Sequence, residues 1–312
     1  MFETDFPPRT SGSGELLGLV PYLLGYHPAD ALVAIIRPVG QHLPHAISLP
    51  LNEPAEALLE HLATHVRDRT AGIILIGYGR AIHRAKIFEV SGALQLFVPV
   101  LGRFLYDDGI LTCLTSGCDC TPDGGIPVDP RSTQLAAKLA LTGRVVLPSR
   151  QELDTLVAGD PRAQAETQAA LNTLANTDIA QVAALTAPAR AGERLTAEQV
   201  ARLCLALHDP DRLTAAWHQT TGRRWQRELW LDVTRRAPQQ HVAAPASLAA
   251  WSAWRLGQQA LAEAALDRAR TADPEDGFTR TVSLVVGAHL PAHRLRWPPT
   301  PHLPAATSRI QS

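Results

Sequence analysis

The sequence predicts an α/β N-terminal domain, a mixed and mostly parallel sheet with hairpins and flanking helices, followed by an all-α C-terminal domain. Three observations predict it. Compact apolar runs with β-branched residues, Ala31–Arg37 and Gly72–Gly77, fall in the first half of the chain. A segment with helical spacing, Pro54–Arg69, lies between strand-like runs, as a parallel crossover requires. From position 150 onward strand-like runs vanish and apolar residues recur at helical intervals.

The first helix is read from Leu16, Leu17, Leu19, Val20, Leu23 and Leu24, which share one broad face. Pro21 inside it predicts a kink, or an end and restart with Pro21 in a first turn. Gly25 stands where a left-handed C-terminal cap wants a glycine. Tyr26-His27-Pro28-Ala29-Asp30 is then a tight loop into the strand Ala31–Arg37. Pro38–Pro44 reads as a turn and Ala46–Leu51 as the second strand of a hairpin. Pro54–Arg69 is a helix with Ala55, Leu58, Leu59, Leu62 and Val66 inward, and Gly72–Gly77 is a buried strand. Residues 81–95 read as helix. Phe97–Tyr106 reads as a strand interrupted by Pro99 and Gly102, and Asp107-Asp108-Gly109 as a hairpin turn into Ile110–Thr115. Ser116–Pro130 is loop, and helix begins near 132.

In the second half, Thr196 and Gln199 form a capping-box pattern ahead of Val200, Leu203, Cys204 and Leu207 on one stripe. Trp225, Leu229 and Val233 make another stripe. All six tryptophans follow position 216 and read as filling for a helical core. Ala249, Ala253, Gly257, Ala262, Leu266, Ala269 and Pro274 match the small and apolar spacing of one tetratricopeptide-like hairpin at about 246–274. The expected organisation is a loose arm over 1–12, the α/β domain over 13–148, the helical domain over 149–297 and a Pro- and Ser-rich disordered tail over 298–312.

Leu23-Leu24-Gly25-Tyr26-His27-Pro28, followed by Asp30 and an apolar strand, resembles the opening signature of domain-of-unknown-function family 4192 of high-GC bacteria. Gly77-Tyr78-Gly79 after a strand, the cysteine loop with Pro122 and Gly125, and Ala253-Trp254-Arg255-x-Gly257 extend the resemblance over most of residues 11–296. The family loop usually has two adjacent cysteines before its proline; here it reads Cys118-Asp119-Cys120-Thr121-Pro122. The resemblance implies no established activity.

Composition narrows function more than it names it. The net charge is −1, with 14 acidic against 12 basic residues through position 150 and 16 against 17 beyond it. Neither half is basic enough to mark a nucleic-acid surface, so nucleic acid is not an expected partner. Arg223, Arg224 and Arg227 beside Trp225 are interrupted by Glu228 and Asp232 and read as a solvated helix face. No run approaches the ~20 apolar residues of a membrane span, and MFETDFPPRT lacks a signal-peptide pattern. The expectation is a cytoplasmic protein with reduced cysteines.

Connectivity supplies the sharpest site expectation. If the first two strands form a hairpin and the crossover is parallel, Tyr26–Asp30, Asn52-Glu53 and Gly77-Tyr78-Gly79-Arg80 come to one sheet edge, where open α/β sheets bind ligands. Tyr26, His27, Asp30, Gly77, Tyr78, Gly79 and Arg80 are therefore the ligand-binding candidates. Tyr78 and Arg80 could offer stacking and anion pairing, and His27 and Asp30 proton transfer; alternatively the glycines and Pro28 only make tight turns and Asp30 only caps backbone. Gly77-Tyr78-Gly79 is no dinucleotide fingerprint, since position 82 is Ile where a third glycine belongs, and no P-loop or G-x-S-x-G is present.

No cofactor is predicted. Cys113, Cys118 and Cys120 are weak candidates for a metal site: zinc would need a fourth ligand such as Asp119, Asp123 or a distant histidine, and C-x4-C-x-C is a weak spacing for a structural site, so they read first as packing and loop residues, with Cys113 pointing into the core. His61 and His65 lie one turn apart but off the apolar stripe, and read as solvent-facing. The sequence thus predicts an uncharacterised ligand- or partner-binding or regulatory module, with a possible protein partner through the helical domain. An enzyme acting on a small anionic metabolite at the 26–30 and 77–80 edge is the alternative.

Overall fold

A computed structural model describes residues 12–39, 44–66, 70–141, 146–174, 181–288 and 290–298. The expected N-terminal arm and C-terminal tail lie almost wholly outside these, as do parts of the 38–44 turn and the end of the 54–69 helix. The chain packs as two compact units. The first comprises Met1–Leu156 with Gln258–Ala264 and Gly287–Leu290; the second comprises Val157–Gly257, Ala265–Val286 and Pro291–Ser312.

In the first unit, α1 (Gly14–Leu24) leads into β1 (Ala31–Pro38), β2 (His45–Pro50), α2 (Ala55–His65), β3 (Thr70–Tyr78), a 3-10 turn at Ala81–His83, α3 (Arg84–Leu94), β4 (Val100–Asp107), β5 (Ile110–Cys113), β6 (Ile126–Pro127) and α4 (Gln134–Leu141). Pro21 neither ends nor restarts α1, which is one helix with Pro21 buried inside it; the missing N–H forfeits one ladder bond that packing outweighs.

The six strands form one mixed sheet in the order β2-β1-β3-β4-β5-β6. β1 pairs antiparallel with both β2 and β3, β3 pairs parallel with β4, and the remaining pairs are antiparallel. The expectation of a mostly parallel sheet is therefore corrected, since among the described residues only β3–β4 is parallel. β2 and β3 do run in the same direction, but β1 lies between them. Burial explains the insertion. β1 is buried at six consecutive positions, as a central strand covered on both faces should be, whereas β2 is only partly buried and ends in Pro50, as an edge strand allows.

One face of the sheet carries Leu32, Ala34, Ile36, Ile73, Leu75 and Leu105, packed with Leu58 and Leu62 of α2 and with Ile87, Val90 and Leu94 of α3. The alternating set Ala31, Val33, Ile35, Ile74 and Ile76 is also buried. α1 packs against α4 and β2.

The regular elements of the remaining described residues are helical: α5 (Arg150–Val157), α6 (Pro161–Thr173), α7 (Val182–Arg190), α8 (Ala197–Ala206), α9 (Pro210–Gln219), α10 (Arg224–Arg236), α11 (Ala243–Arg255), α12 (Gln259–Ala272) and α13 (Gly277–Gly287). The capping box at Thr196 forms as its spacing predicts: the Gln199 N–H donates to Thr196 Oγ1 at 3.2 Å, and the Thr196 N–H to Gln199 Oε1 at 2.8 Å. Val200, Leu203, Cys204 and Leu207 are all buried. Within the second unit, the rings of Trp217, Trp251, Trp254, Trp297 and Phe278 form a contiguous aromatic cluster with centroid spacings of 4.6–5.3 Å. No helix among the described residues is long and apolar enough to cross a membrane.

Candidate functional site

The start of β1 and the end of β3 meet at one sheet edge, because Ala31 pairs with both Pro50 and Tyr78. Everything expected there from connectivity is brought together: the Tyr26–Asp30 loop, the turn after β2 and Gly77–Arg80. α1 ends as its glycine dictates. Gly25 has φ +77°, and its N–H donates to the Pro21 carbonyl at 2.7 Å. The loop is then pinned by Leu147, whose N–H donates to the Gly25 carbonyl at 2.8 Å and whose carbonyl accepts the His27 N–H at 3.0 Å. Tyr26 is buried, with the Arg150 guanidinium 5.9 Å from its ring centroid.

Gly77, Tyr78 and Gly79 shape the floor of this edge. A Cβ on Gly77 would overlap Ile87 Cδ1, and one on Gly79 would lie 3.0 Å from His83 Cδ2 and 3.1 Å from Leu51 Cδ1. Close packing thus excludes a side chain at Gly77 unless Ile87 moves, whereas at Gly79 the side chains of His83 and Leu51 would have to give by a few tenths of an ångström. Tyr78 is 4% exposed and its ring meets Tyr106 edge-on at 5.6 Å, so it presents no face for stacking a ligand at the surface. Its hydroxyl is buried without a hydrogen-bond partner among the described residues, and burial followed by the neighbouring Tyr106 holds its proton on well above the ordinary phenol range. The Tyr106 hydroxyl donates to the Val128 carbonyl at 3.0 Å; burial, then Asp129 and Asp108, also raise it.

The polar groups of the edge divide into those engaged and those free. Lys86 Nζ donates to the carbonyls of Leu51 at 2.7 Å and Glu53 at 2.6 Å, which ties α3 to the turn after β2. Asp107 Oδ2 accepts the Ala81 N–H at 2.9 Å, so a carboxylate of the chain itself takes up that donor in the turn leading into α3. Asp30 differs. Its φ is +47°, its carbonyl accepts the Leu51 N–H at 2.9 Å, and its exposed carboxylate caps nothing among the described residues. The exposed Arg80 likewise has no side-chain partner there. His27 is held below the usual histidine range by burial and by the Arg131 charge, with Asp129 opposing. Asp129, Arg131 and Asp107 are further polar groups near this edge that sequence reasoning missed, as is Lys86 on α3. The parallel register Tyr78↔Tyr106 brings the segment of Asp107, and the antiparallel pair Ile110↔Pro127 that of Asp129 and Arg131, to this edge, and local spacing carries no trace of either.

The cysteines lie elsewhere. β5 runs antiparallel to β4 and pairs Cys113 with Phe104, so its loop leaves the sheet away from Tyr78. That loop folds back on itself: Cys118 N–H donates to the Thr115 carbonyl at 3.2 Å, Gly117 has φ +70°, and Cys113 N–H donates to Thr121 Oγ1 at 2.9 Å. As a result the Sγ atoms of Cys113, Cys118 and Cys120 all lie within 4.8 Å of one another. Cys113 is only half-buried, not sunk into the core as expected, and its Sγ accepts the Thr115 N–H at 3.4 Å. Hydrogen bonds from Cys120 pull the Cys118 thiol below its ordinary range, whereas burial and then the hydrogen bond to Cys118 push Cys120 up to about 12.

His61 is exposed, with its Nδ1 3.0 Å from the Ala57 carbonyl of its own helix. In the second unit, a cleft lined by Asp160, Arg162, Glu166, Arg194 and Arg236 has its charges satisfied internally: Arg162 pairs with Glu166, Arg194 and Arg236 both pair with Asp232, and Asp160 caps α6.

A mixed sheet with an exposed polar loop edge, continued by a helical half, defines an α/β-plus-helical protein. The model of the family described as Domain of unknown function (DUF4192) matches residues 14–293, and the chain belongs to that family. Comparison with curated proteins and with solved structures gives no match.

Proposed function

We propose that the chain is a ligand- or partner-binding module whose contact surface is the edge formed by residues 26–30 and 77–80. The single observation that carries this is Asp30: an exposed carboxylate with no partner among the described residues, on a non-glycine residue at φ +47°, at the same sheet edge as Arg80, whose side chain also has none there. Aspartate enters the left-handed region more readily than most residues, and the Leu51 N–H bond to its carbonyl supports the turn, which leaves the carboxylate turned out with no cap to make among the described residues. His27 and Arg131 add further polar groups to the same surface, while Tyr26 and Tyr78 hold its floor.

Binding is preferred over the alternative of an enzyme on a small anionic metabolite for two reasons. Tyr78 is not available for stacking, and Asp107 already occupies the Ala81 N–H where an anion would sit. The reading keeps the cytoplasmic, bacterial setting expected from sequence, and a possible protein partner through the helical domain.

The test is a thermal-shift screen of the full chain against nucleotides, sugar phosphates, amino acids and divalent metals, with a native pull-down in parallel. A binder should stabilise the wild type and fail to stabilise an Asp30→Ala, Arg80→Ala double variant of unchanged melting temperature. Equal binding by the folded double variant would refute the assignment.

A further inference from the structure

We propose that Cys113, Cys118 and Cys120 form a three-thiolate site for one thiophilic d10 cation, Zn2+ or Cu+. This site is separate from the 26–30 and 77–80 edge and does not depend on it. Free cysteines are usually among the most buried residues and act as small apolar side chains. Here two of the three are exposed and the third is half-buried, so packing does not explain why they converge.

The convergence is built by the loop. The turn at Thr115–Cys118, the positive φ of Gly117 and the Cys113 N–H to Thr121 Oγ1 bond turn Cys118 and Cys120 back onto the strand residue Cys113. Ser13 Oγ donates to the Cys120 carbonyl at 3.1 Å and anchors the far side. The Thr115 N–H already donates to Cys113 Sγ, the kind of backbone support that favours a thiolate.

The separations suit a metal. With Zn–S bonds of about 2.3 Å, tetrahedral geometry sets sulfur atoms roughly 3.8 Å apart. The three Sγ atoms lie within 4.8 Å of one another, so closure requires shifts of no more than about half an ångström each, available to Cys118 and Cys120 on their exposed loop and to Cys113 through its side chain. On loading, three S–H bonds break, three metal–sulfur bonds form and the protons pass to solvent. Three protein ligands leave one position open to water or an exogenous donor on zinc, and complete a trigonal shell on Cu+.

The experiment uses the full chain, reduced and stripped with chelator under anaerobic conditions. Zn2+ and Cu+ are titrated separately against a chromophoric competitor, and iodoacetamide labelling is read by mass before and after loading. The expected result is one equivalent of one or both ions, with Cys113, Cys118 and Cys120 protected on loading and the buried Cys204 unlabelled throughout. Cys118→Ser and Cys120→Ser, both at exposed loop positions, should each weaken binding by about tenfold or more while far-UV circular dichroism stays unchanged. Less than about 0.1 equivalent of either ion on the wild type, or unchanged affinity in both folded variants, would overturn the proposal. So would a chain that only forms a disulfide on air oxidation and binds neither ion.

Discussion

Replacing Gly25 by valine removes the one residue type that closes α1 at φ +77° without strain. A non-glycine residue in the left-handed region costs about 1–2 kcal/mol, and a β-branched one more. The new Cβ would also lie 3.3 Å from the Ala260 Cβ, close enough that the neighbour must shift by a few tenths of an ångström. If the backbone instead leaves the left-handed region, the two bonds to Leu147 from Gly25 and His27 are lost, at about 1 kcal/mol each. Either route predicts a loss of about 2–3 kcal/mol for Gly25→Val, about 1 for Gly25→Ala and less for Gly25→Asn, since asparagine tolerates this region. The assay is urea denaturation followed by far-UV circular dichroism, with amide exchange read over residues 14–37. Tryptophan emission will not serve, because all six tryptophans lie at or beyond Trp217. A Gly25→Val change within about 0.5 kcal/mol of wild type, or asparagine no better than alanine, would refute the argument.

Other perturbations follow from the same geometry. Gly77→Ala should lose about 1–3 kcal/mol by overpacking against Ile87, and Gly77→Ala with Ile87→Val should recover part of it in a urea series. Arg236→Ala should lose about 2–4 kcal/mol in chemical denaturation: it strips the Leu195 carbonyl of its donor at 2.7 Å and breaks the pair with Asp232 at 2.8 Å, although Asp232 keeps Arg194. His241 is held below its ordinary value by burial and then by the charge of His208, whose Nε2 lies 2.6 Å from His241 Nδ1. Because the folded state prefers the neutral ring, the associated stability is present above about pH 6.5 and is lost as pH falls through the depressed folded value; His27 acts in the same direction. Unfolding free energies measured from pH 8 to 5 should therefore fall on the acid side, and His241→Gln should flatten that fall.

How much was legible follows from which signals are local. Gly25, the Asp107-Asp108-Gly109 turn with φ of +45° and +80° at its two central residues, and the Thr196 capping box were readable because a few adjacent residues dictate each. The meeting of loops 26–30 and 77–80 was readable because a hairpin followed by a crossover leaves few options. Which strand β3 would join was not, since either neighbour leaves β2 and β3 running the same way. The unused clue was the contrast between the continuous apolar run of β1 and the His45, Ser48 and Pro50 of β2, which marks β2 as the edge. The cysteine convergence was hidden for another reason. It arises from the turns at Gly117 and Thr121, so the spacing C-x4-C-x-C carries no ligand-set signature by itself.

The most direct test of the binding-edge account is hydrogen–deuterium exchange on the full chain, with and without the partner or ligand recovered in the screen. The account predicts added protection centred on residues 26–30 and 77–80, absent in the Asp30→Ala, Arg80→Ala variant. Protection confined to other segments, with these two loops exchanging as in the free chain, would contradict it.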